Sequence, residues 1–306
     1  MKRENGITIV ELLVSMLVIG ILLSLATYIF VNFISTSFSQ ERQTSAQSNV
    51  QSVMQQIKWD ILMTGYSVSA DQIAIEAGNG TGPNNSDVLT LKSLWFGVDE
   101  GGHWTYVLDP VSNNTTVNVR KWNDPDLDIQ AGDEIIFMTS TKRKLDNQTF
   151  EVVSRDTFTH VSGVSGFKLT LNNPISTSMN FLFNVNSTGT DELQEVVYRL
   201  QDNVLLRDSI PLMDDVTDFQ VAYWVDQNDN QIQESTEWHD DLSVVEANPN
   251  LRDNIRLIRL NLLVSSRGES NYHKEETFTL EDNTITPNPN MKHKPWMQFA
   301  NPRNLK

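Results

Sequence analysis

Hydrophobic and polar positions change their pattern several times along the chain. A polar hexapeptide, Met1-Lys2-Arg3-Glu4-Asn5-Gly6, gives way at Ile7 to an apolar run, and no charged side chain occurs from Leu12 to Gln40. Its apolar-to-small part, Leu12 to Ile34, exceeds the roughly 20 residues that cross a bilayer as a helix. From Ala46 the spacing becomes that of a single helical stripe: Ala46, Val50, Val53 with Met54, Ile57 and Ile61, separated by Gln, Ser and Lys58. Gly20 is the only glycine and there is no proline from Ile7 to Thr64. One helix of about 87 Å is therefore predicted, with Gly65 as its C-cap.

Beyond the helix the run from Gly78 to Ser86, GNGTGPNNS, is turn-forming. Short β-rich runs follow at Val88–Leu91, Thr105–Leu108, Thr116–Val119, Glu134–Met138, Phe150–Val153, Phe167–Leu171, Glu195–Leu200, Val204–Arg207, Phe219–Val225, Ile255–Val264 and Glu276–Leu280. Asp202-Asn203 reads as a tight hairpin turn. From Thr286 to Lys306, prolines at 287, 289, 295 and 302 stand among Lys292, His293, Lys294 and Arg303, which predicts an extended C-terminal tail. The fold class predicted is α+β: a long N-terminal helix on a β-rich globular domain. The boundaries are 1–6 for a leader, 7–65 for the helix (7–34 apolar, 35–65 amphipathic), 66–285 for the globular domain and 286–306 for the tail.

Three readings fit the N-terminal segment. A secretory signal would end in a small-x-small site, which Ser24-Leu25-Ala26 approaches, but the apolar run continues to Ile34. A plain signal anchor leaves Glu11 unexplained, because a carboxylate at mid-membrane depth costs on the order of 3 kcal/mol. In the third reading the chain is cut after Gly6. The new amine at Ile7 then needs a counter-charge as helices bundle, and Glu11 of a neighbouring copy can supply it. Lys2 and Arg3 place the leader on the cytoplasmic side and residues after about 40 outside.

Composition narrows the function. The chain is 39% hydrophobic and 20% charged, which suffices for a sizeable core. A net charge of -16 argues against general nucleic-acid binding, which needs clustered Lys and Arg. The absence of cysteine excludes disulfides, thiolate catalysis and iron–sulfur clusters. The five histidines, at 103, 160, 239, 273 and 293, lack metal-ligand spacing. Gly163-Val-Ser165-Gly166 has the wrong spacing for a nucleophile elbow and reads as a turn.

Gly6 followed by Ile7-Thr8-Ile9-Val10-Glu11-Leu12-Leu13-Val14 resembles the class III signal of type IV pilins and type II secretion pseudopilins. The resemblance implies cleavage between Gly6 and Ile7 by a prepilin peptidase, N-methylation of Ile7, and Glu11 as the acidic fifth residue of the mature chain. Ile7 stands where phenylalanine is commonest. Two later stretches, YRLQDNVLLRDSIPLMDDVTDFQVAYWVD and NIRLIRLNLLVSSRG, are similar to the C-terminal half of PilW-type minor pilins. Together the two likenesses cover the first sixty-odd residues and much of 195 to 268, and leave 66 to 194 largely unmatched. The later one implies a non-catalytic subunit that primes pilus assembly at or near the tip and supports motility or adhesion. The implied partners are other minor and major pilins, the prepilin peptidase and the inner-membrane assembly machinery. A J-type pseudopilin of type II secretion is the alternative, as is a tethered adhesin or sugar-binding module, for which tryptophans such as Trp95, Trp104, Trp122, Trp224 and Trp238 are candidates.

No organic cofactor is implied, and calcium is the one candidate ligand. From Asp226 to Glu237, oxygen-bearing side chains at Asp226, Asn228, Asn230, Glu234 and Glu237 follow the spacing of an EF-hand-like loop. Gln231 occupies the glycine position and Ile232 comes one place early for the apolar anchor. The alternative is a polar hairpin loop, since Asp and Asn favour turns on their own.

Overall fold

A computed structural model describes residues 9–69, 72–94, 96, 104–109, 113–138, 148–175, 181–184, 193–267 and 273–305. Helix α1 runs from Ile9 to Met63 and terminates where Gly65 takes up φ 84°, the left-handed conformation in which glycine pays no side-chain penalty. The predicted C-cap is thus in place.

Four groups of antiparallel strands follow. In the first sheet, β1 (Ile75–Gly78), β2 (Val88–Ser93), β9 (Gln194–Gln201), β10 (Val204–Arg207) and β11 (Ile210–Met213) lie in the order β1-β2-β9-β10-β11. The turn between β9 and β10 has Asp202 and Asn203 both at positive φ, 51° and 63°, as a two-residue hairpin requires. The second sheet has the order β13-β12-β14-β17, made by β12 (Val216–Val225), β13 (Trp238–His239), β14 (Ile255–Arg267) and β17 (Met291–Ala300). A short helix, α2 (Ser243–Ala247), precedes β14, and β15 (Phe278–Leu280) pairs with β16 (Asn283–Ile285) as a separate ribbon. The third sheet is six-stranded, in the order β3-β8-β5-β6-β7-β4. Its strands are β3 (Trp104–Tyr106), β4 (Asn114–Arg120), β5 (Glu134–Met138), β6 (Phe150–Thr159), β7 (Ser165–Ile175) and β8 (Phe181–Asn184).

Two hydrophobic cores result. The larger joins the buried stripe of α1 (Val50, Val53, Met54, Ile57, Ile61) to inward residues of the first two sheets, among them Leu89, Tyr198, Phe219, Tyr223 and Leu260. The smaller belongs to the six-stranded sheet and includes Val119, Phe137, Phe150, Phe167 and Leu169. Val88–Ser93 pairs directly with Arg199–Gln194, so residues 94–193 are inserted between two hydrogen-bonded neighbours. A bridging cluster of Leu94, Ile136 and Met138, with Tyr66 against it, connects the insertion to the end of the helix.

The C-terminal segment corrects the sequence reading. Residues 286–306 are not a tail: Met291–Ala300 pairs with Arg267–Ile258 for the full length of β17. Four prolines pointed away from a strand, but β17 is an edge strand paired on one side only, where Pro295 is tolerated.

Candidate functional site

The outer half of α1 is the site the sequence singles out. Ile9–Phe38 is apolar and long enough to cross a membrane, and none of its most apolar stretch is buried against the rest of the protein. Four of its hydroxyls bond back onto the helix itself. Ser15 Oγ donates to Leu12 O at 2.9 Å, Ser24 Oγ to Gly20 O at 2.9 Å, Thr27 Oγ1 to Leu23 O at 2.8 Å and Thr36 Oγ1 to Asn32 O at 2.9 Å. Each hydroxyl thereby reaches an oily surface already satisfied. Gly20 and Ser24 form a shallow notch flanked by Leu17, Ile21, Leu25 and Tyr28. A Cβ at Gly20 would meet nothing, so a second helix can approach closely there.

Glu11 lies exposed in the first turn, where the helix dipole favours a negative charge. Lys2, Arg3, Gly6 and Ile7, the leader charges and the cleavage and methylation positions, lie outside the described residues.

The opposite end of α1 is fastened to the globular domain by polar groups that sequence reasoning missed. Asp60 is 3% exposed, and its Oδ2 accepts from Tyr198 Oη at 2.5 Å and from Arg207 Nε at 2.7 Å. Burial and the adjacent carboxylate push the Tyr198 hydroxyl up, which keeps it a donor. Burial works against the Arg207 charge, but the hydrogen bond and charge of Asp60 outweigh it and hold the guanidinium above its ordinary value. Asn304 Nδ2 lies 3.2, 3.2 and 3.3 Å from the carbonyls of Leu62, Met63 and Thr64, capping the helix from the C-terminal end of the chain. The available sequence signals were slight: an acidic residue in the last turn, where the dipole disfavours it, and an arginine in a hairpin.

The candidate calcium loop is gathered but used from within. Asp226 Oδ1 and Oδ2 accept from the backbone N–H groups of Asn230 (3.1 Å) and Gln231 (3.0 Å), and Asn228 Oδ1 also accepts from Asn230 N, at 3.0 Å. Asn230 Oδ1 accepts from Ile232 N at 2.7 Å, and its Nδ2 donates to Glu234 at 3.2 Å. Glu237 accepts from Trp224 Nε1 at 3.0 Å and from Gln227 N at 3.2 Å. Arg256 brings its guanidinium to 3.5 Å from Asp226 Oδ2 and 2.9 Å from Asp229 Oδ1, so positive charge already stands beside the first candidate ligand. Among the described residues no group of three or more acidic or histidine side chains is placed to hold a metal ion.

The other candidates fall apart in space or find ordinary partners. His160 Nε2 lies 3.0 Å from Asp109 Oδ1, His239 Nε2 2.9 Å from Gln227 Nε2, His273 Nδ1 3.1 Å from Asn290 Oδ1 and His293 Nε2 3.1 Å from Asn288 O. His103 and Trp95 lie outside the described residues. Gly163, at φ 79°, forms the turn between β6 and β7. Trp224 faces Trp238 across the β12–β13 pair, whereas Trp104 and Trp122 meet on the insertion.

Two family models match the chain. Residues 1–27 match the prokaryotic N-terminal methylation motif, and residues 180–300 match Type IV Pilus-assembly protein W (PilW). A type IV-like pilin from Thermus thermophilus is similar at 14% identity over 38% of this chain and 69% of its own, with a TM-score of 0.22, too low to bear on the fold. No curated protein matches. A methylation motif at the start, an exposed apolar helix carrying Glu11, and a PilW match that takes in the strands from β8 to β17 together make the chain similar to type IV pilins.

Proposed function

We propose that this protein is a non-catalytic minor pilin that primes type IV pilus assembly and sits at or near the tip. The observation that carries this reading is the helix: Ile9–Phe38 presents apolar side chains on all sides, and Glu11 stands in its first turn. Thirty residues of helix extend about 45 Å, more than the ~30 Å hydrocarbon layer, so lipid before assembly and neighbouring helices afterwards both suit the surface. Cleavage after Gly6 would leave a cationic amine at Ile7, for which Glu11 of an adjacent subunit is the counter-charge. The pair sets the axial register of the incoming helix, because an unpaired charge is costly once helices exclude water. Before assembly the protein would span the inner membrane once, with its globular domain outside the cytoplasm. The partners implied are the prepilin peptidase, the inner-membrane assembly machinery and other minor and major pilins.

The bulk of the globular domain supports a terminal position. Residues 94–193 add a second core to the one that packs on α1. A subunit repeated at every step of a filament must tile that bulk against its neighbours, whereas a tip or initiating subunit need not.

The test is Glu11→Ala in cells that assemble pili. Loss of the variant from sheared filaments, with normal membrane levels, is the expected result. Wild-type incorporation would remove the role assigned to Glu11.

A further inference from the structure

We propose that the inserted six-stranded sheet carries a binding ledge for a neutral saccharide chain, built from Trp104, Tyr106 and Trp122. In β3 the alternation sets Trp104 and Tyr106 outward on either side of Thr105, whose buried hydroxyl donates to Arg120 O at 2.6 Å. Trp122 follows β4 and completes the group. The ring centroids lie 5.1 Å apart for Trp104–Tyr106, 5.3 Å for Trp104–Trp122 and 6.1 Å for Tyr106–Trp122. Trp104 and Tyr106 remain 39% and 38% exposed, and none of the three rings joins the core of this sheet.

The ledge is held by hydrogen bonds, and its rings meet edge-on, Trp104 at 69° to Tyr106 and 70° to Trp122. Trp122 spends its indole N–H on Trp104 O at 2.7 Å and its backbone N–H on the buried carboxylate of Asp128 at 2.8 Å. Asp128 is itself 3% exposed. Arg120 lies over the Trp122 ring, 5.0 Å from its centroid, and adds directional donors beside the rings. Aromatic side chains fixed in this way lose little conformational entropy when a ligand arrives.

Charge selects the class of occupant. Among the described residues beside the ledge, the exposed Arg120 and Lys121 are matched by the exposed Asp124 and Asp126. A polyanion needs clustered cations that this balance does not provide. A neutral sugar has apolar C–H faces that lie on aromatic rings, and hydroxyls that bond to guanidinium and carboxylate groups of either sign. Residues 94–179 lie outside both matched regions, so the ledge goes beyond the assembly role and does not depend on it.

The experiment uses the full chain in detergent, titrated with neutral hexasaccharides of glucose, galactose, mannose or N-acetylglucosamine. The readout is the indole N–H resonances. Saturable shifts of the Trp104 and Trp122 signals, with those of Trp224 and Trp238 unmoved, are expected with at least one series. Trp104→Ala should weaken that binding about tenfold while the melting temperature stays near wild type. If Trp104→Ala does not fold, the resonance pattern of the unaltered protein decides alone. No saturable shift with any series, shifts confined to Trp224 and Trp238, or shifts produced only by a heparin-type polyanion would each overturn the proposal.

Discussion

Asp60 on the helix and Arg207 on β10 are joined by a 2.7 Å N–H···O bond across 147 residues of sequence. The carboxylate stands in the last turn of α1, where the dipole makes an acid unfavourable and no basic residue of that turn compensates it. Its justification is tertiary, because it ties the apolar rod to the hairpin of the first sheet. Asp60→Leu would leave the partly buried guanidinium with Asp208, 3.7 Å away, as its remaining carboxylate and is expected to cost about 2 kcal/mol. Replacing both partners, as Asp60→Leu with Arg207→Leu, should cost less than either single change. Melting temperatures of the four proteins in detergent check this, and additive losses would show that the two residues are not coupled.

The Asn304 cap predicts that the extreme C-terminus stabilises the far end of the helix. Asn304→Ala leaves the carbonyls of Leu62, Met63 and Thr64 without their shared donor and should cost about 1–2 kcal/mol. Hydrogen exchange read at residues 60–66 should rise in the variant and stay unchanged in the outer helix. Unchanged exchange at both places would mean that the cap carries no weight.

How much of this was legible beforehand depended on range. Local signals were read well: the helix stripe, Gly65, the Asp202-Asn203 turn, and the strands Glu134–Met138 and Val204–Arg207, found with the bounds expected. The exposed apolar surface of the helix and the place of Glu11 in its first turn were equally plain, because continuous apolarity interrupted by one acid needs no tertiary information. Partners distant in sequence were not legible. The pairing of β2 with β9, which makes 94–193 an insertion, leaves no mark in either strand's own pattern. Asn304 capping Leu62–Thr64 is hidden for the same reason, and β17 was obscured by prolines that an edge position tolerates.

Asp87 supplies a pH dependence. Its two oxygens accept from Gly80 N at 2.9 Å and Val221 N at 2.7 Å, fastening the Gly78–Ser86 turn to β12. Burial nevertheless outweighs those bonds, and with the nearby Asp282 and Asp218 charges it pushes the carboxyl up to about 7. Burial raises Asp218 as well. A carboxyl raised on folding binds its proton more tightly in the native state, so the stability it contributes is complete below about pH 4 and is lost as pH rises towards 7. The melting temperature should therefore fall between pH 5 and pH 8, by about 2–4 °C for each kcal/mol involved. Asp87→Asn should flatten that slope. An equal slope in wild type and variant would assign the effect elsewhere.

The loop from Asp226 to Glu237 yields a prediction about calcium. Its oxygens already close the turn, and the Arg256 guanidinium stands beside Asp226 and Asp229. Millimolar calcium is therefore expected to leave the melting temperature and the heat of titration at baseline. A saturable heat, lost in Asp226→Asn, would restore the loop as a cation site.

The account rests on the chain becoming a rod with a new amine at its tip. Co-expression with a prepilin peptidase, followed by N-terminal sequencing and intact mass, tests this most directly. The prediction is a mature chain that begins at Ile7, carries one added methyl group and has lost Met1 to Gly6. A chain that keeps its leader while a known prepilin in the same cells is cut would contradict the account and leave only a tethered domain.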